Sequence, residues 1–507
     1  MLNLVFVLYL PTLGATMLWN AVAVAVAVRR RRQTPLWWRW ACAASAIAGP
    51  IGLLCDAGSM AVETRDMVRL AWLYPVSFAL AAVVWVGTLQ RTGARWWLVA
   101  PLVYNAVMAA VHLARQLLYA GIPLGAWAEG LTMGYAVLQS VLTMPLYIFY
   151  PVLNHLPLLP LEGALEARWW RRLHALASVP CALCALAPLA FLPRSVEVLR
   201  SWRSVGAFPR AAARSSLQAG IVVRVPAADP DLGASLATAE DELRALGAQA
   251  VNLFVHRTLM GRIGDQAAIE AFVRAARAMG AQVIITADYP TDWQRDPPTS
   301  CRQGLERMTD FHVFLARRFR PDILVPFIEP YGAYVAITGR THPPAQWRDT
   351  LREASRSVRE AAPGVRTAAY LGQLDADGEL YALLCEPGSG VDVVGFSLYS
   401  IYASRGEMEP ALRRMEGWIQ RHGQARDHWL FEFGQSPVTM GGERAQAGYL
   451  RWALRWAASR PEFRGACVFS LRDDAEKLGL LSAQGRRRPA WFEFRRIAAL
   501  QHAQRTR

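Results

Sequence analysis

Lysine is almost absent from this 507-residue chain, because Lys477 is the one lysine among 55 basic residues and the other 54 are arginines. The formal net charge is +15, but the arginines are spread over both halves of the chain and no known nucleic-acid-binding motif accompanies them. The excess of positive charge therefore indicates a general preference for arginine in this chain rather than a basic patch that binds a partner. We expect no nucleic acid as a partner.

Cysteine is also sparse, with seven residues scattered along the chain. An odd, low number argues against a disulfide framework. Cys181 and Cys184 form a CxxC motif without a second pair or a nearby histidine, and we interpret them as two small residues packed inside an apolar helix rather than as a zinc site. No GxGxxG motif follows the first strand of the C-terminal part, which argues against a dinucleotide. We expect no metal and no cofactor.

Apolar sequence, in contrast, is abundant, since 53% of the residues are hydrophobic, a high share for a wholly soluble protein. In roughly the first two hundred residues, six nearly uncharged segments each have about the ~20 residues that a helix needs to span a bilayer. A helix in a soluble protein would show a polar stripe instead. We predict membrane-spanning helices at residues 3–28, 37–60, 69–90, 97–119, 131–154 and 173–193.

The distribution of arginine predicts the orientation of these helices. No basic residue precedes the first segment and Arg29–Arg32 follow it, the reverse of a cleavable signal peptide, so we expect this helix to be retained. The first, third and fifth connections carry ten arginines, whereas the second and fourth carry Arg65 and Arg69. The positive-inside rule then places the odd connections in the cytoplasm and both termini outside the cytoplasmic membrane. A miscount of one helix would reverse the side of the C-terminal part.

Several polar residues lie near the predicted outer ends of these helices, namely Asp56, His112, Arg115, Gln116 and Glu129. Ionisable groups at membrane depth are candidates for a ligand or relay site. Pairing among themselves, or snorkelling of Arg115 to the interface, is the structural alternative.

After a connecting segment at residues 194–218, short apolar runs alternate with amphipathic helical stretches. The runs are at 220–225, 250–255, 282–289, 323–330, 366–373, 391–400, 428–435 and 465–474. Runs that are apolar on both faces are typical of parallel strands covered on both sides. Eight such units in about 290 residues favour a closed (β/α)₈ barrel over an open doubly wound sheet. We therefore predict an all-α membrane domain at 1–193, a TIM barrel at 219–501 and a tail at 502–507.

Two of these runs carry a glutamate at their C-terminal ends, Glu329 and Glu432. In a barrel of this kind the chemistry lies on the loops that follow the strands. Two carboxyl groups that face each other across a pocket are the minimum for retaining hydrolysis of a glycosidic bond, one protonated as acid and one ionised as nucleophile. Either glutamate alone also fits a salt bridge or a helix cap, but the pair in these positions favours catalysis.

Other strand ends carry polar or aromatic side chains that we predict to bind substrate by hydrogen bonds or by stacking on sugar rings. These candidates are His256, Arg257, Asp288, Tyr289, Trp293, Tyr331, Tyr402, Gln435 and Arg472. Ordinary packing is the alternative for each aromatic residue. Asp288 and Asp292 lack further oxygen ligands at motif spacing, so we assign no metal to them.

Four stretches of residues 219–501 resemble clan A, the large group of retaining glycoside hydrolases with a (β/α)₈ barrel. They are FIEP at 327–330, GFSLYS at 395–400, LFEFG at 430–434 and GLLSAQGRRRPAWFEF at 479–494. The resemblance implies that Glu329 is the acid/base, that Glu432 is the nucleophile and that Tyr399 hydrogen-bonds the nucleophile.

The sequence departs from the clan pattern at three places. Ile328 precedes the acid/base where the clan usually has asparagine, and Asn252 stands where an arginine of strand 2 supports the nucleophile. Arg257 or Arg224 could reach inward instead. The tryptophan of strand 8 is also missing, which leaves Phe469 or Arg472 to form the floor of the sugar subsite.

These patterns predict a membrane-anchored glycoside hydrolase or transglycosylase that acts on a cell-envelope or extracellular polysaccharide, with carbohydrate and the lipid bilayer as partners. One alternative is a weak or inactive barrel that binds or senses carbohydrate. A third is a component of a polysaccharide synthesis or export complex, with other membrane subunits as partners.

Overall fold

The computed structural model describes two compact units. The described residues are 4–30, 34–61, 69–92, 96–120, 122, 124–125, 127–134, 156–161, 168–204, 217–225, 229, 231–372, 375–399, 405–423, 425–437, 441–473 and 477–505. The N-terminal unit comprises Met1–Ser201 together with Ser436–Ala445 and Ala475–Lys477. The C-terminal unit comprises the remaining residues up to Arg507.

The N-terminal unit is helical where it is described. Its main helices are α1 (Leu4–Arg29), α2 (Leu36–Ala61), α3 (Leu73–Thr92), α4 (Trp96–Tyr119) and α5 (Arg168–Ser204). Each coincides with a predicted segment, although α5 continues past residue 193 into the predicted connecting segment. The remaining segment, 131–154, lies mostly outside the described residues.

Within the described residues, two helical stretches are long and apolar enough to cross a membrane, Leu73–Thr92 and Leu98–Leu118. Leu13–Arg29 is a shorter apolar helix. Length and composition alone are weak evidence, because a buried core helix of a soluble protein passes the same test. Six crossings therefore stay a prediction.

Polar side chains are buried in this unit, whereas large apolar ones are exposed. Asn20, Asp56 and Asn105 are at most 3% exposed. Of the 24 exposed large hydrophobic side chains in the described residues, 22 lie between Met17 and Leu189. This is the reverse of the pattern expected of a helical bundle in water.

The polar residues predicted near the helix ends include an ion pair between Arg115 of α4 and Asp56 of α2. Gln116 Nε2 also donates a hydrogen bond of 3.0 Å to Asp56 Oδ1. The ring of His112 packs against those of Tyr74 and Phe78, with centroid distances of 4.4 and 5.7 Å. For Asp56, Arg115 and Gln116 these contacts support structural pairing.

Residues 156–161 form a buried segment inside the N-terminal unit that is neither helix nor strand. Asn20 and Asn105 each donate an amide hydrogen bond to a carbonyl of this segment, at 2.6 and 3.1 Å, and each accept a backbone N–H from it, at 3.1 and 3.2 Å. The indoles of Trp19 and Trp85 donate to its carbonyls at 2.8 and 2.6 Å. These residues were predicted to lie in a connection between two helices. Their burial is possible because side-chain amides provide hydrogen bonds for the backbone N–H and C=O groups.

The C-terminal unit contains a closed barrel of parallel strands in the order β1 to β8, as predicted. The strands are β1 (Gln218–Arg224), β2 (Ala250–Val255), β3 (Gln282–Ala287), β4 (Ile323–Val325), β5 (Arg366–Leu371), β6 (Val393–Tyr399), β7 (Asp427–Gly434) and β8 (Phe463–Val468). The shortest, β4, ends immediately before Pro326, which has no N–H to donate to the ladder.

Helices alternate with these strands because the intervening sequence has a helical apolar period and local caps. They are α6 (Leu232–Leu246), α7 (Ile263–Ala278), α8 (Cys301–Phe319), α9 (Ala333–Thr338), α10 (Pro344–Ala361), α11 (Asp375–Cys385), α12 (Arg405–Trp418), α13 (Gly442–Ala458) and α14 (Pro489–Arg505). In α6, for example, the side chain of Asp231 caps the N-terminus and Gly247, at φ 66°, ends the helix.

The pairing of β6 with β7 positions the carboxyl ends of both strands. Their register shifts between Phe396 and Ser397, so that Ser397 is the partner of Glu432 and Tyr399 is the partner of Gly434. Gly395 is required for this packing, since a Cβ there would approach the Phe431 ring to 2.1 Å. The shift therefore aligns polar residues of β6 with Glu432.

Candidate active site

Glu432 lies near the C-terminal end of β7 and is 7% exposed. The hydroxyl of Tyr399 donates a hydrogen bond to its Oε2 atom. Tyr399 and Ser397 are two residues apart on β6 and therefore point to the same face of the strand. The structure thus brings together Glu432 and the tyrosine predicted to orient it.

Glu329 follows β4 and is half-buried. The carboxyl accepts hydrogen bonds from the Ser397 hydroxyl and from the backbone N–H of Ala333. Its backbone has φ 38°, a conformation that costs a non-glycine residue about 1–3 kcal/mol and that is concentrated at functional sites. Gly332 leaves room for the carboxyl, because a Cβ there would lie 2.4 Å from Glu329 Oε2.

Ser397 connects the two glutamates. Its hydroxyl contacts Glu329, while its backbone pairs in register with Glu432. Neighbouring strands lie ~4.8 Å apart, so the residue that holds the Glu329 carboxyl is one strand spacing from Glu432. Ser397 was not among the predicted site residues, although its position two residues before Tyr399 in the GFSLYS stretch was the available signal.

Burial raises the pKa of Glu329 above that of an ordinary glutamate, because a charged carboxylate is poorly solvated there. The hydrogen bonds from Ser397 and Ala333 favour the ionised form and offset part of this rise. Glu329 therefore stays protonated to a higher pH than a solvated carboxyl. This is the property that a general acid requires.

The Ser397→Ala variant is expected to move the alkaline limb of the kcat/KM pH profile to higher pH. The substitution removes a donor that stabilises ionised Glu329, so the pKa of the acid rises and its protonated form persists longer. The profile is to be measured on an aryl glycoside, with Ser357→Ala on the exposed face of α10 as the control. A limb that stays in place or moves to lower pH would contradict the assignment of Glu329 as the acid.

Asn252 is buried inside the barrel at the position where the clan pattern has arginine. Its Nδ2 donates to the carbonyl oxygen of Phe431 at 3.3 Å, and its Oδ1 accepts from Thr286 Oγ1 at 2.7 Å. Asn252 therefore supports the backbone next to Glu432. Ile328 is another of the three departures from the clan pattern, and its carbonyl oxygen accepts a 2.6 Å hydrogen bond from Tyr289 Oη.

Phe469, just after β8, lies beside the Glu432–Tyr399 pair. Its ring centroid is 6.0 Å from that of Tyr399. Arg224, at the end of β1, extends over the same ring with Cζ 5.8 Å from the centroid, and its Nη2 is 3.8 Å from Asp288 Oδ2. Arg472 is exposed. Of the two residues left to replace the missing tryptophan, Phe469 is the one next to Tyr399.

Tyr289 and Trp293 lie in a buried aromatic cluster, at 3% and 1% exposure. Their ring centroids are 5.5 Å apart, and both rings pack against Tyr334. This cluster supports the loop that carries Glu329, since Tyr289 contacts the preceding carbonyl. Neither ring presents an open face on which a sugar could stack.

The other predicted binding residues have varied surroundings. His256 is the N-cap of a short 3₁₀ turn that begins at Arg257. Tyr331 and Gln435 are buried at 9% and 1% exposure, close in sequence to Glu329 and Glu432. Tyr402 lies outside the described residues.

Asp377, in the first half of α11, has a buried carboxyl group and was not among the predicted site residues. Its Oδ2 and the Glu329 Cδ lie 3.3 and 4.0 Å from the position that a Cβ on Gly372 would occupy. The β5 side of the site therefore holds a third carboxyl group.

Among the described residues, no group of three or more histidine, cysteine, aspartate or glutamate side chains could hold a metal ion.

Neither a known protein-family model nor a curated protein matches this chain. Among solved structures, it is similar to the β-glycosidase BGL167, with 12% identity, coverage of 57% of this chain and 97% of that chain, and a TM-score of 0.46. It is also similar to virulence factor SghA from Agrobacterium tumefaciens, with 14% identity, 57% and 98% coverage and a TM-score of 0.41. A family 1 β-glucosidase from Thermotoga maritima matches with 10% identity, 56% and 97% coverage and a TM-score of 0.41.

The strand pairing of this chain by itself defines the class of its C-terminal unit, a (β/α)₈ barrel. The half-buried Glu329 follows strand β4 and the buried Glu432 lies near the end of strand β7, on the face where such barrels carry their active sites.

Proposed function

We propose that the barrel is a retaining glycoside hydrolase or transglycosylase. The Glu432 carboxylate attacks the anomeric carbon, the glycosidic C–O bond breaks, and Glu329 donates its proton to the departing oxygen. Glu329 then takes a proton from water, or from a sugar hydroxyl in transglycosylation, as that oxygen displaces Glu432 from the anomeric carbon. Tyr399 holds the nucleophile in position.

The observation that carries this proposal is the Ser397 bridge. One strand residue donates to the Glu329 carboxyl while its register partner is Glu432. Retention requires the two carboxyl groups to be only ~5–5.5 Å apart, because the second attacks the sugar directly rather than through water. The contacts of both carboxyl groups with neighbouring residues of β6, Glu329 with Ser397 and Glu432 with Tyr399, support this arrangement over an inverting one.

The experiment is to follow product configuration by proton NMR during cleavage of aryl α- and β-glycosides by the full-length protein. We expect the first-formed hemiacetal to have the same anomeric configuration as the substrate. A first-formed product of inverted anomeric configuration would contradict the proposal. Absence of cleavage across a panel of glycosides and polysaccharides would contradict it as well.

We propose that the enzyme is anchored in the cytoplasmic membrane with the barrel on the outer side. There it acts on a cell-envelope or extracellular polysaccharide. The exposed apolar side chains between Met17 and Leu189, around buried polar ones, support contact with lipid rather than water. The test is to fuse, after Arg507, a phosphatase that is active only outside the cytoplasm. We expect this fusion to be active. An inactive fusion would refute this orientation.

A second candidate function is carbohydrate binding without turnover. Two observations favour it, since Asn252 contacts backbone rather than the Glu432 carboxylate and Ile328 has no polar side chain to offer a sugar hydroxyl. Tight glycan binding with no product after long incubation would support this candidate over the hydrolase.

A further inference from the structure

We propose that Tyr289 and His312 are positioning residues for Glu329, because they hold the backbone that carries the acid in the conformation that aims its carboxyl group. This inference deepens the proposed function and rests on it for the role of Glu329 as acid/base. Each of the two side chains hydrogen-bonds a backbone carbonyl in residues 326–329, between the end of β4 and the acid.

Residues 326–329 lie where β4 leaves the ladder of the barrel. Leu324 pairs with Thr367 of β5, and the next pairing along the chain is that of Ile328 with Tyr370. Between these two pairings the β4 side therefore has one residue more than β5, as in a β-bulge. Such an insertion disrupts the ladder locally and changes the direction of the side chains beside it, which here include the acid.

Two carbonyl groups of this segment accept hydrogen bonds from buried side chains. The Tyr289 hydroxyl donates to the Ile328 carbonyl at 2.6 Å, and His312 Nε2 lies 2.9 Å from the Pro326 carbonyl oxygen. Because a carbonyl oxygen only accepts, Nε2 carries the hydrogen of the neutral ring. Burial lowers the pKa of His312 to about 4, so the ring is neutral near pH 7. Both carbonyls thus have a defined donor.

The backbone of Glu329 is held on both sides as well. Its N–H donates to the Tyr370 carbonyl at 2.9 Å, and its carbonyl accepts from the N–H groups of Gly332 and Tyr334 at 3.0 and 3.2 Å. A non-glycine residue keeps a φ of 38° only where its surroundings over-determine it. The two side-chain donors complete these constraints. Loss of either one lets the backbone relax and moves the carboxyl group away from Ser397.

Packing fixes the two donors themselves. Tyr289 and His312 are 3% and 0% exposed. The Tyr289 ring lies 5.5 Å from that of Trp293, and the His312 ring lies 5.4 Å from that of Phe327. Side chains locked in this way can hold a catalytic group within the narrow tolerance that catalysis requires. The aromatic cluster behind the Glu329 loop therefore positions the acid, although it has no open face for a sugar.

The test is kcat/KM of full-length Tyr289→Phe on phenyl and dinitrophenyl glycosides of the same sugar. A misplaced acid slows only the departure of a leaving group that needs a proton. We expect turnover of the phenyl glycoside to fall about 10–100-fold and turnover of the dinitrophenyl glycoside to be unchanged. His312→Phe, which keeps a ring without a donor, should show the same pattern. His312→Gln, whose amide nitrogen can donate instead, should recover part of the loss.

Tyr381→Phe is the matched control. The Tyr381 hydroxyl is 2.8 Å from His428 Nε2 near the start of β7, at the end of the barrel opposite to the active-site face, and both residues are buried. Tyr381→Phe and Tyr289→Phe each remove one buried hydroxyl, so we expect both to lower the free energy of unfolding to a similar extent. Only Tyr289→Phe should change the dependence of turnover on the leaving group.

An equal fall on both substrates in Tyr289→Phe, or no fall at all, would overturn the positioning role. A loss in His312→Phe that His312→Gln does not recover would contradict the role of the His312 donor. If His312→Phe does not fold, Tyr289→Phe still decides the proposal. Absence of leaving-group dependence in Glu329→Gln itself would instead overturn the proposed hydrolase, so the two proposals fail in distinguishable ways.

Discussion

Turnover of every glycoside is expected to fall by about 10⁴-fold in Glu432→Gln, because the amide cannot form the covalent glycosyl intermediate. Glu329→Gln is expected to lose about 10²–10⁴-fold, but only on substrates whose leaving group must be protonated. A dinitrophenyl glycoside, whose leaving group departs without a proton, should recover most of its first-step rate in Glu329→Gln and none in Glu432→Gln. The measurement is kcat/KM across aryl glycosides of graded leaving-group pKa.

Glu353→Gln, on the exposed face of α10, is the matched control and should match the unmodified protein on every substrate. Equal losses in both active-site variants, independent of the leaving group, would contradict the division of roles between acid and nucleophile. Unchanged turnover in both would exclude these glutamates from catalysis.

Arg488→Ala is expected to lower the free energy of unfolding by about 3–5 kcal/mol, since it leaves a buried carboxylate without its charge partner. Arg488 and Asp473 form a two-armed ion pair with N–O distances of 2.6 and 2.5 Å, and their side chains are 2% and 0% exposed. Asp473 also accepts a hydrogen bond from the backbone N–H of Gly479, and Arg488 donates one to the Gly479 carbonyl oxygen. These bonds hold the loop between β8 and α14 in place. Denaturant unfolding of the full-length protein in detergent, followed by tryptophan fluorescence, measures the loss.

The neighbouring Arg487 offers a control at nearly the same place in the chain. Its side chain is 43% exposed and pairs with Glu242, so Arg487→Ala should cost about 1 kcal/mol or less. The double substitution Asp473→Leu with Arg488→Met should recover part of the loss, because it leaves no unpaired buried charge. Equal destabilisation by Arg487→Ala and Arg488→Ala would refute a special role for the buried pair.

The barrel was predictable because its evidence is periodic along the chain. Each predicted apolar run overlaps one strand, and Glu329 and Glu432 follow or lie near the ends of their strands as expected. Burial on both faces imposes this pattern locally, so it can be recognised without knowledge of the partners of each strand. The contact of Tyr399 with Glu432 was likewise expected from the resemblance.

The orientation of aromatic side chains at the strand ends could not be predicted from the sequence. Tyr289 and Trp293 follow a strand, as a sugar platform would, yet both pack in a buried cluster behind the Glu329 loop. A strand-end position predicts the edge of the barrel but not the direction in which a large side chain turns. That direction depends on neighbours such as Tyr334, which lies on another element.

The sequence by itself determined the alternation of strands and helices, the apolar character of the N-terminal helices and the two glutamates, because these are properties of neighbouring residues. Only the tertiary structure decided that Ser397 joins Glu329 to Glu432, that Arg224 lies over Phe469, and that residues 156–161 are buried among side-chain amides. Each of these depends on strand register or on contacts between residues far apart in the chain. Hydrophobic period carries no information about such contacts, since it records which face of an element is buried and not what it is buried against.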